Sequence, residues 1–209
     1  AVELADVIFL LIPDQAHKQV YQEHILPKLT DGCTMVFAHG YSIHYKEIVP
    51  KVAVNIVLLA PRMPGEPIRD YYKKGGGVPA FVDVYQDYTG DAWDIVLSLA
   101  KGIGATKAGV MHVSFKEETE IDLFIEQFFL PLIIQGIRLS FDYLVEKKFT
   151  PEAVLSELYA SGEIGELMLM ATKGGIYKVW KENASPTCQF GIFSNLEKAM
   201  PTEYGRNLI

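Results

Sequence analysis

The stretch VIFLLIPD at residues 7–14 decides the fold class. It holds six apolar residues in a row, β-branched at Val7, Ile8 and Ile12, with no polar alternation. Such a run is what a strand buried on both faces of a parallel sheet requires, and Pro13-Asp14 stops it. Residues 15–29 follow with Val20, Ile25 and Leu29 toward one side, so they read as a helix. Further along, TMVFA at 34–38 is a second strand, closed by His39-Gly40, and NIVLL at 55–59 is a third, followed by APRMPG at 60–65. AFVDVY at 80–85 is a fourth strand, and residues 91–103 are a helix ending at Gly104. Strands alternating with helices predict a doubly wound, Rossmann-type parallel sheet, whose ligands bind beyond the carboxyl ends of the strands. Asp14, His39-Gly40 and the turn from Arg62 to Gly65 should then share one rim.

Near residue 113 the character changes. Residues 115–143 form one helical pattern that opens with KEETE and becomes apolar nearly all round: Leu123, Phe124, Phe128, Phe129, Leu130, Leu132, Ile133, Ile134. A helix without a polar face belongs inside a bundle or at a subunit interface. Residues 151–171 read as another helix and 176–180 as a third. The expected organisation is an α/β domain over 1–112 and an all-α domain over 113–209. The chain enters a strand-like run almost at once and without an initiator Met, so an upstream piece is expected to precede it.

Of the 209 residues, 26 are acidic and 19 basic, giving a net charge of −7. An acidic chain without Lys/Arg runs is a poor ligand for nucleic acid or anionic membranes. No stretch reaches the ~20 apolar residues of a membrane span; residues 124–137 are interrupted by Glu126, Gln127, Pro131 and Gln135. Two cysteines, Cys33 and Cys188, exclude a disulfide scaffold and fit a reducing, cytoplasmic setting. KKGGG at 73–77 precedes a strand, not a helix, and reads as a flexible connector. Neither a phosphate-loop pattern nor G-x-G-x-x-G after a strand is present.

Asp122 and Glu126 are four apart, so a helix sets both carboxylates on one face amid core-type residues. Either the pair faces solvent and favours its helix electrostatically, or it is buried and neutralised by a divalent cation such as Mg²⁺. Glu157, Glu163 and Glu166 are a solvated helix face unless the fold carries them to the first pair. His39 is either a hydrogen-bonded loop histidine or a group placed against a ligand by the neighbouring glycine. By the same reading His17 and His44 are surface residues.

Several blocks in this order resemble ketol-acid reductoisomerase: ADVIFLLIPD (5–14), FAHGYSIHY (37–45), APRMPG (60–65), GVPAFVDVYQD (77–87), AKGIGATKAGV (100–110) and FKEETEIDLFIEQ (115–127). The resemblance implies an NAD(P)H-binding Rossmann domain, here without its first strand and glycine-rich loop, followed by a knotted helical domain that dimerises. It implies two Mg²⁺ ions holding a 2-acetyl-2-hydroxy acid, such as 2-acetolactate, for alkyl migration and hydride reduction in branched-chain amino-acid biosynthesis. The cofactor would be NADPH or NADH, and the assembly a homodimer or higher homo-oligomer. Carried over residue by residue, His39 and Arg62 are catalytic, and Asp14, Gln15, Ala16, His17 and Gly65 contact cofactor. Asp122, Glu126, Glu157 and Glu163 are metal ligands, and Ser185 binds substrate. The family has lysine where this chain has Arg62, a second acid pair four apart where Glu157 and Glu163 are six apart, and small residues where Phe128 and Phe129 stand. The rival expectation is a non-catalytic or substrate-divergent homologue that dimerises and binds a ligand.

Overall fold

In the computed structural model, which describes residues 1–199, the chain divides into two compact units, Ala1–Leu123 and Phe124–Ile209. The last ten residues of the expected helical domain lie outside the described residues.

The first unit is built on a five-stranded sheet in the order β1-β2-β3-β4-β5. Its elements are β1 (Val7–Leu10), α1 (Asp14–Val20), β2 (Thr34–Phe37), α2 (Tyr41–His44), β3 (Asn55–Pro61), α3 (Gly65–Lys73), β4 (Ala80–Gln86), α4 (Ala92–Gly102), β5 (Val110–His112) and α5 (Phe115–Phe124). Successive strand residues point to opposite faces, and β2 and β3 feed a core on each side. Met35, Phe37, Ile56 and Leu58 pack with Tyr21, Ile25, Leu29, Ile43 and Phe115. Val36, Val57, Leu59 and Val82 pack with Ala92, Val96 and Ala100. The helix read over 15–29 is α1 continued by a wide turn at Tyr21–Ile25 and a tight one at Leu26–Lys28.

Three expectations about the first unit are corrected. The sheet is mixed: β1, β2 and β3 are parallel, but β4 runs antiparallel to β3. After Pro61 the chain makes α3 and returns at the same end, where Arg62 N–H donates to Pro79 O at 2.8 Å and Pro61 pairs with Ala80. A chain that turns back at the rim it left has no need to cross the sheet. The run 7–12 is not buried on both faces, since β1 is an edge strand and Phe9, Leu11 and Ile12 are exposed. His17 is buried, not at the surface. Its Nε2 meets the carbonyl of Ile12 and its Nδ1 the hydroxyl of Ser42, both at 2.8 Å.

In the second unit the described residues are helical: α6 (Leu130–Glu146), α7 (Pro151–Leu155), α8 (Glu163–Gly174), α9 (Ile176–Asn183) and α10 (Pro186–Ala199). A wide turn at Ile125–Phe129 joins α5 to α6. Pro131 has no N–H to give back to the preceding turn, which accounts for the widening just before it. The continuous helix Phe115–Glu146 has 32 residues and, by length and composition alone, is long and apolar enough to cross a membrane. The polar residues within 124–137 interrupt the apolar run there, but the average over the longer helix is still sufficient. The stretch read as one helix over 151–171 is two. A wide turn at Ser156–Ala160 follows α7, and Gly162, at φ +83°, ends it before α8 begins.

Candidate active site

Because β1 to β3 are parallel, the segments that follow them leave the sheet at one rim. His39-Gly40 follows β2 and Arg62 follows β3. Across from them lies α5, whose start is fixed by β4. Asp83 Oδ2 accepts the N–H of Phe115 at 2.9 Å, capping the helix from a strand, while Asp83 Oδ1 lies 3.0 Å from His112 Nε2. Phe115 is buried edge-on against Phe37.

That placement brings Glu118 to the centre. Its side chain is 1% exposed and collects three donors. Gly40 N–H meets Oε2 at 2.8 Å, His39 Nδ1 meets Oε2 at 3.0 Å and Oε1 at 3.2 Å, and Arg62 Nη1 meets Oε1 at 3.0 Å. One helical turn on, Asp122 is 22% exposed; its Oδ1 accepts Arg62 Nη2, and its Oδ2 lies 3.8 Å from His39 Nδ1. Arg62 also lies over the Phe81 ring, 4.9 Å from its centroid. A carboxylate this buried would be very costly unpaired; here two cationic side chains and a backbone N–H satisfy it.

Burial alone would lower the affinity of His39 for its proton. The hydrogen bond His39 donates to Glu118 and the charges of Glu118, Asp122 and Asp14 outweigh it and hold the imidazole above the usual histidine range. With its proton so favoured, His39 faces Glu118 through Nδ1, and Nε2 is the ring nitrogen turned away from that carboxylate. The rim so formed sets two carboxylates, Glu118 and Asp122, against Arg62 and His39, an arrangement that offers donors to an anionic oxygen and hard oxygens to a cation.

The site residues expected from sequence fare differently. His39 and Arg62 meet at Glu118, and Asp122 joins them through Arg62. Among the described residues, His39, Glu118 and Asp122 form the one group of three or more such side chains close enough to share an ion. The two carboxylates grouped at the rim are Glu118 and Asp122. Glu126 is exposed in the wide turn at Ile125–Phe129. Glu157 is exposed in the wide turn after α7, and Glu163 opens α8, on the far side of the Gly162 break. Ser185 caps α10, its hydroxyl accepting Cys188 N–H at 3.3 Å. Asp14 opens α1 half-buried, 3.5 Å from His17 Nδ1; Gln15 is exposed and Ala16 half-buried beside it. Gly65 opens α3 and lines a cleft with Ile68, Arg69, Tyr72, Gly102 and Ile103.

Glu118 escaped the sequence reading. Its signal was present in the spacing Glu118, Asp122, Glu126, three carboxylates at successive turns of one helix face.

Two family models cover the chain: the NADPH-binding domain of acetohydroxy acid isomeroreductase over residues 1–109, and the C-terminal domain of ketol-acid reductoisomerase over 115–207. A ketol-acid reductoisomerase (NADP(+)) of Pyrococcus abyssi is 44% identical over 192 residues, 91% of this chain and 57% of that protein. One from Sulfurisphaera tokodaii is 48% identical over 158 residues, 75% of this chain and 48% of that protein. The chain thus spans about half the length of the curated relatives it matches. Among solved structures, an NADH-preferring ketol-acid reductoisomerase from an uncultured archean superposes with a TM-score of 0.91 at 32% identity, covering 99% of this chain and 62% of that one. A semialdehyde dehydrogenase NAD-binding protein from Cupriavidus necator, at 16% identity and a TM-score of 0.69, shares the fold alone. On the two domain models and these identities, the chain belongs to the ketol-acid reductoisomerase family.

Proposed function

We propose that this chain carries the working rim of a ketol-acid reductoisomerase, converting 2-acetolactate or 2-aceto-2-hydroxybutyrate to a 2,3-dihydroxy acid with NADPH or NADH, in valine, leucine and isoleucine biosynthesis. The observation that carries this reading is the convergence of His39 and Arg62 on buried Glu118, with Asp122 joined through Arg62, at the sheet end where such folds bind ligands. Mg²⁺ fits the donor chemistry at Asp122, whose hard carboxylate oxygens stand in one ion-sized group with Glu118 and His39; Asp122 and Glu126 are proposed as its ligands. When bound, it would polarise the substrate carbonyl and acidify the neighbouring hydroxyl.

The protein groups supply the rest. His39, fixed through Nδ1 on Glu118, presents Nε2 to a substrate oxygen. Arg62 holds a permanent positive charge beside it, stabilising an oxyanion without giving up a proton. Glu118 keeps both in place. Asp14 to His17 and Gly65 stand at the same strand ends and are proposed to meet the cofactor. For His17 that contact must come from its backbone, since both ring nitrogens are engaged. Glu157, Glu163 and Ser185 are retained as the second metal and substrate groups. The helical unit is proposed to be knotted and to pair with a second copy; exposed Ile125, Phe129, Leu130, Ile133 and Ile134 support a partner surface.

Turnover of 2-acetolactate, followed by NADPH or NADH oxidation in the presence of Mg²⁺, tests the reading. Asp122→Ala should abolish it while the circular dichroism spectrum holds. Undiminished turnover in that variant would refute the assignment. A non-catalytic homologue is the second reading, favoured by the Gly162 break between Glu157 and Glu163; unmutated protein that binds Mg²⁺ yet turns over no ketol acid would establish it.

A further inference from the structure

We propose that Arg62 is an internal competitor of the divalent cation: its guanidinium neutralises Asp122 and must leave Oδ1 before a metal ion can bind there. The inference rests on the reading of Asp122 as a metal ligand. It adds that the chain carries its own occupant for that position.

The geometry gives the reason. The two terminal nitrogens of Arg62 span two carboxylates one helical turn apart, Nη1 on Glu118 Oε1 and Nη2 on Asp122 Oδ1. A guanidinium does not deprotonate in a protein, so it cannot vacate the oxygen by losing charge. A Mg²⁺ ion would need to stand roughly 2.0–2.1 Å from the carboxylate oxygen it shares, closer than any N–H donor approaches. Two cations cannot hold that side of Oδ1 together.

The backbone of Arg62 has nowhere to retreat. Its N–H is tied to Pro79 O at 2.8 Å, and its neighbour Pro61 is paired with Ala80 in the sheet. Displacement is therefore a side-chain movement. Glu118, buried and holding Nη1, is the pivot about which the outer nitrogen swings away from Asp122. Metal binding through Oδ1 carries the cost of breaking this contact, while Oδ2, 3.8 Å from His39 Nδ1, is not held by Arg62.

Mn²⁺ titrated into the intact protein, with free ion read by electron paramagnetic resonance, tests the proposal. Binding in the unmutated protein that disappears in Asp122→Asn establishes the metal ligand independently of Arg62. Equal binding in Asp122→Asn removes that reading and the proposal with it. Arg62→Gln should bind Mn²⁺ about ten-fold more tightly or better, the scale of one charge-assisted hydrogen bond. Arg62→Lys, which keeps the charge but has no fork, should fall between the two. Unchanged or weaker binding in Arg62→Gln overturns the proposal. So does an Arg62→Lys that binds like the unmutated protein, because charge alone would then explain the gain. In the unmutated protein, the Arg62 Nη–H resonances should shift on saturation with Mg²⁺; their constancy in saturated protein would equally overturn it.

Discussion

The backbone N–H of Gly40 donates to Glu118 Oε2 at 2.8 Å, and a Cβ added to Gly40 would stand 2.5 Å from the carbonyl oxygen of Phe115. The residue after His39 is therefore pressed against the first turn of α5, where Thr119 Oγ donates back to the same Phe115 carbonyl at 2.7 Å. Both neighbours are fixed, one as backbone and the other by its hydrogen bond. Gly40→Ala must separate the rim from the helix, at about 1–3 kcal/mol for the overpacking. Chemical denaturation should show a lower midpoint with an unchanged slope. Ketol-acid turnover should fall further than stability predicts, because the same shift moves His39 off Glu118.

Glu118→Gln separates charge from shape. The amide fills the same volume and its oxygen still accepts one donor, but its nitrogen faces either Arg62 or His39 with a donor of its own. Breaking a buried ion pair by removing one partner costs several kcal/mol. With Arg62 and His39 both partly open to solvent, about 2–3 kcal/mol is expected, measured by urea unfolding. A variant as stable as the parent would show that the cations are held by something other than this carboxylate.

The sheet was legible because apolar runs of strand length are unambiguous when turn residues bound them, as Pro13-Asp14 and His39-Gly40 do. Direction was not, since a strand carries the same pattern whichever way it runs, and nothing in AFVDVY tells an antiparallel return from a crossover. The short β5, Val110–His112, escaped because three residues make no pattern. At the site, His39, Arg62 and Asp122 were read from the chain, while Glu118 was lost among the acids of KEETE, where composition cannot show which one turns inward. Asp83 was hidden for a related reason: its role depends on a helix start 32 residues away.

Asp83 gives a sharp test of that long-range cap. Its Oδ2 is the acceptor for the first N–H of α5, so Asp83→Ala should cost about 1–2 kcal/mol, the usual worth of an N-cap. Asp83→Asn keeps an oxygen for Phe115 and should recover most of it. The contact with His112, whose side chain is 65% exposed, adds little. Thermal melts of the two variants check the order; equal losses in Ala and Asn would show that charge, not the hydrogen bond, holds the helix start.

The glycines at 75–77 read from sequence as a flexible connector, and the structure makes one of them a packing residue. A Cβ at Gly77 would lie 1.9 Å from the carbonyl oxygen of Gly104, so the two backbones touch. Gly104 itself sits at φ +83°, just past the end of α4. Lys107 Nζ ties the same loop down, donating to Gly75 O at 2.8 Å. An added methyl meets backbone that the α4 end and the entry to β4 both hold in place, so Gly77→Ala should lose about 3 kcal/mol, at the top of the overpacking range. At Gly76, one residue earlier, the nearest atom to a Cβ is Tyr71 O at 3.4 Å, and Gly76→Ala should be within about 0.5 kcal/mol of the parent. Comparing the two by urea denaturation distinguishes close packing from loop flexibility: a flexible connector would accept alanine equally at both positions.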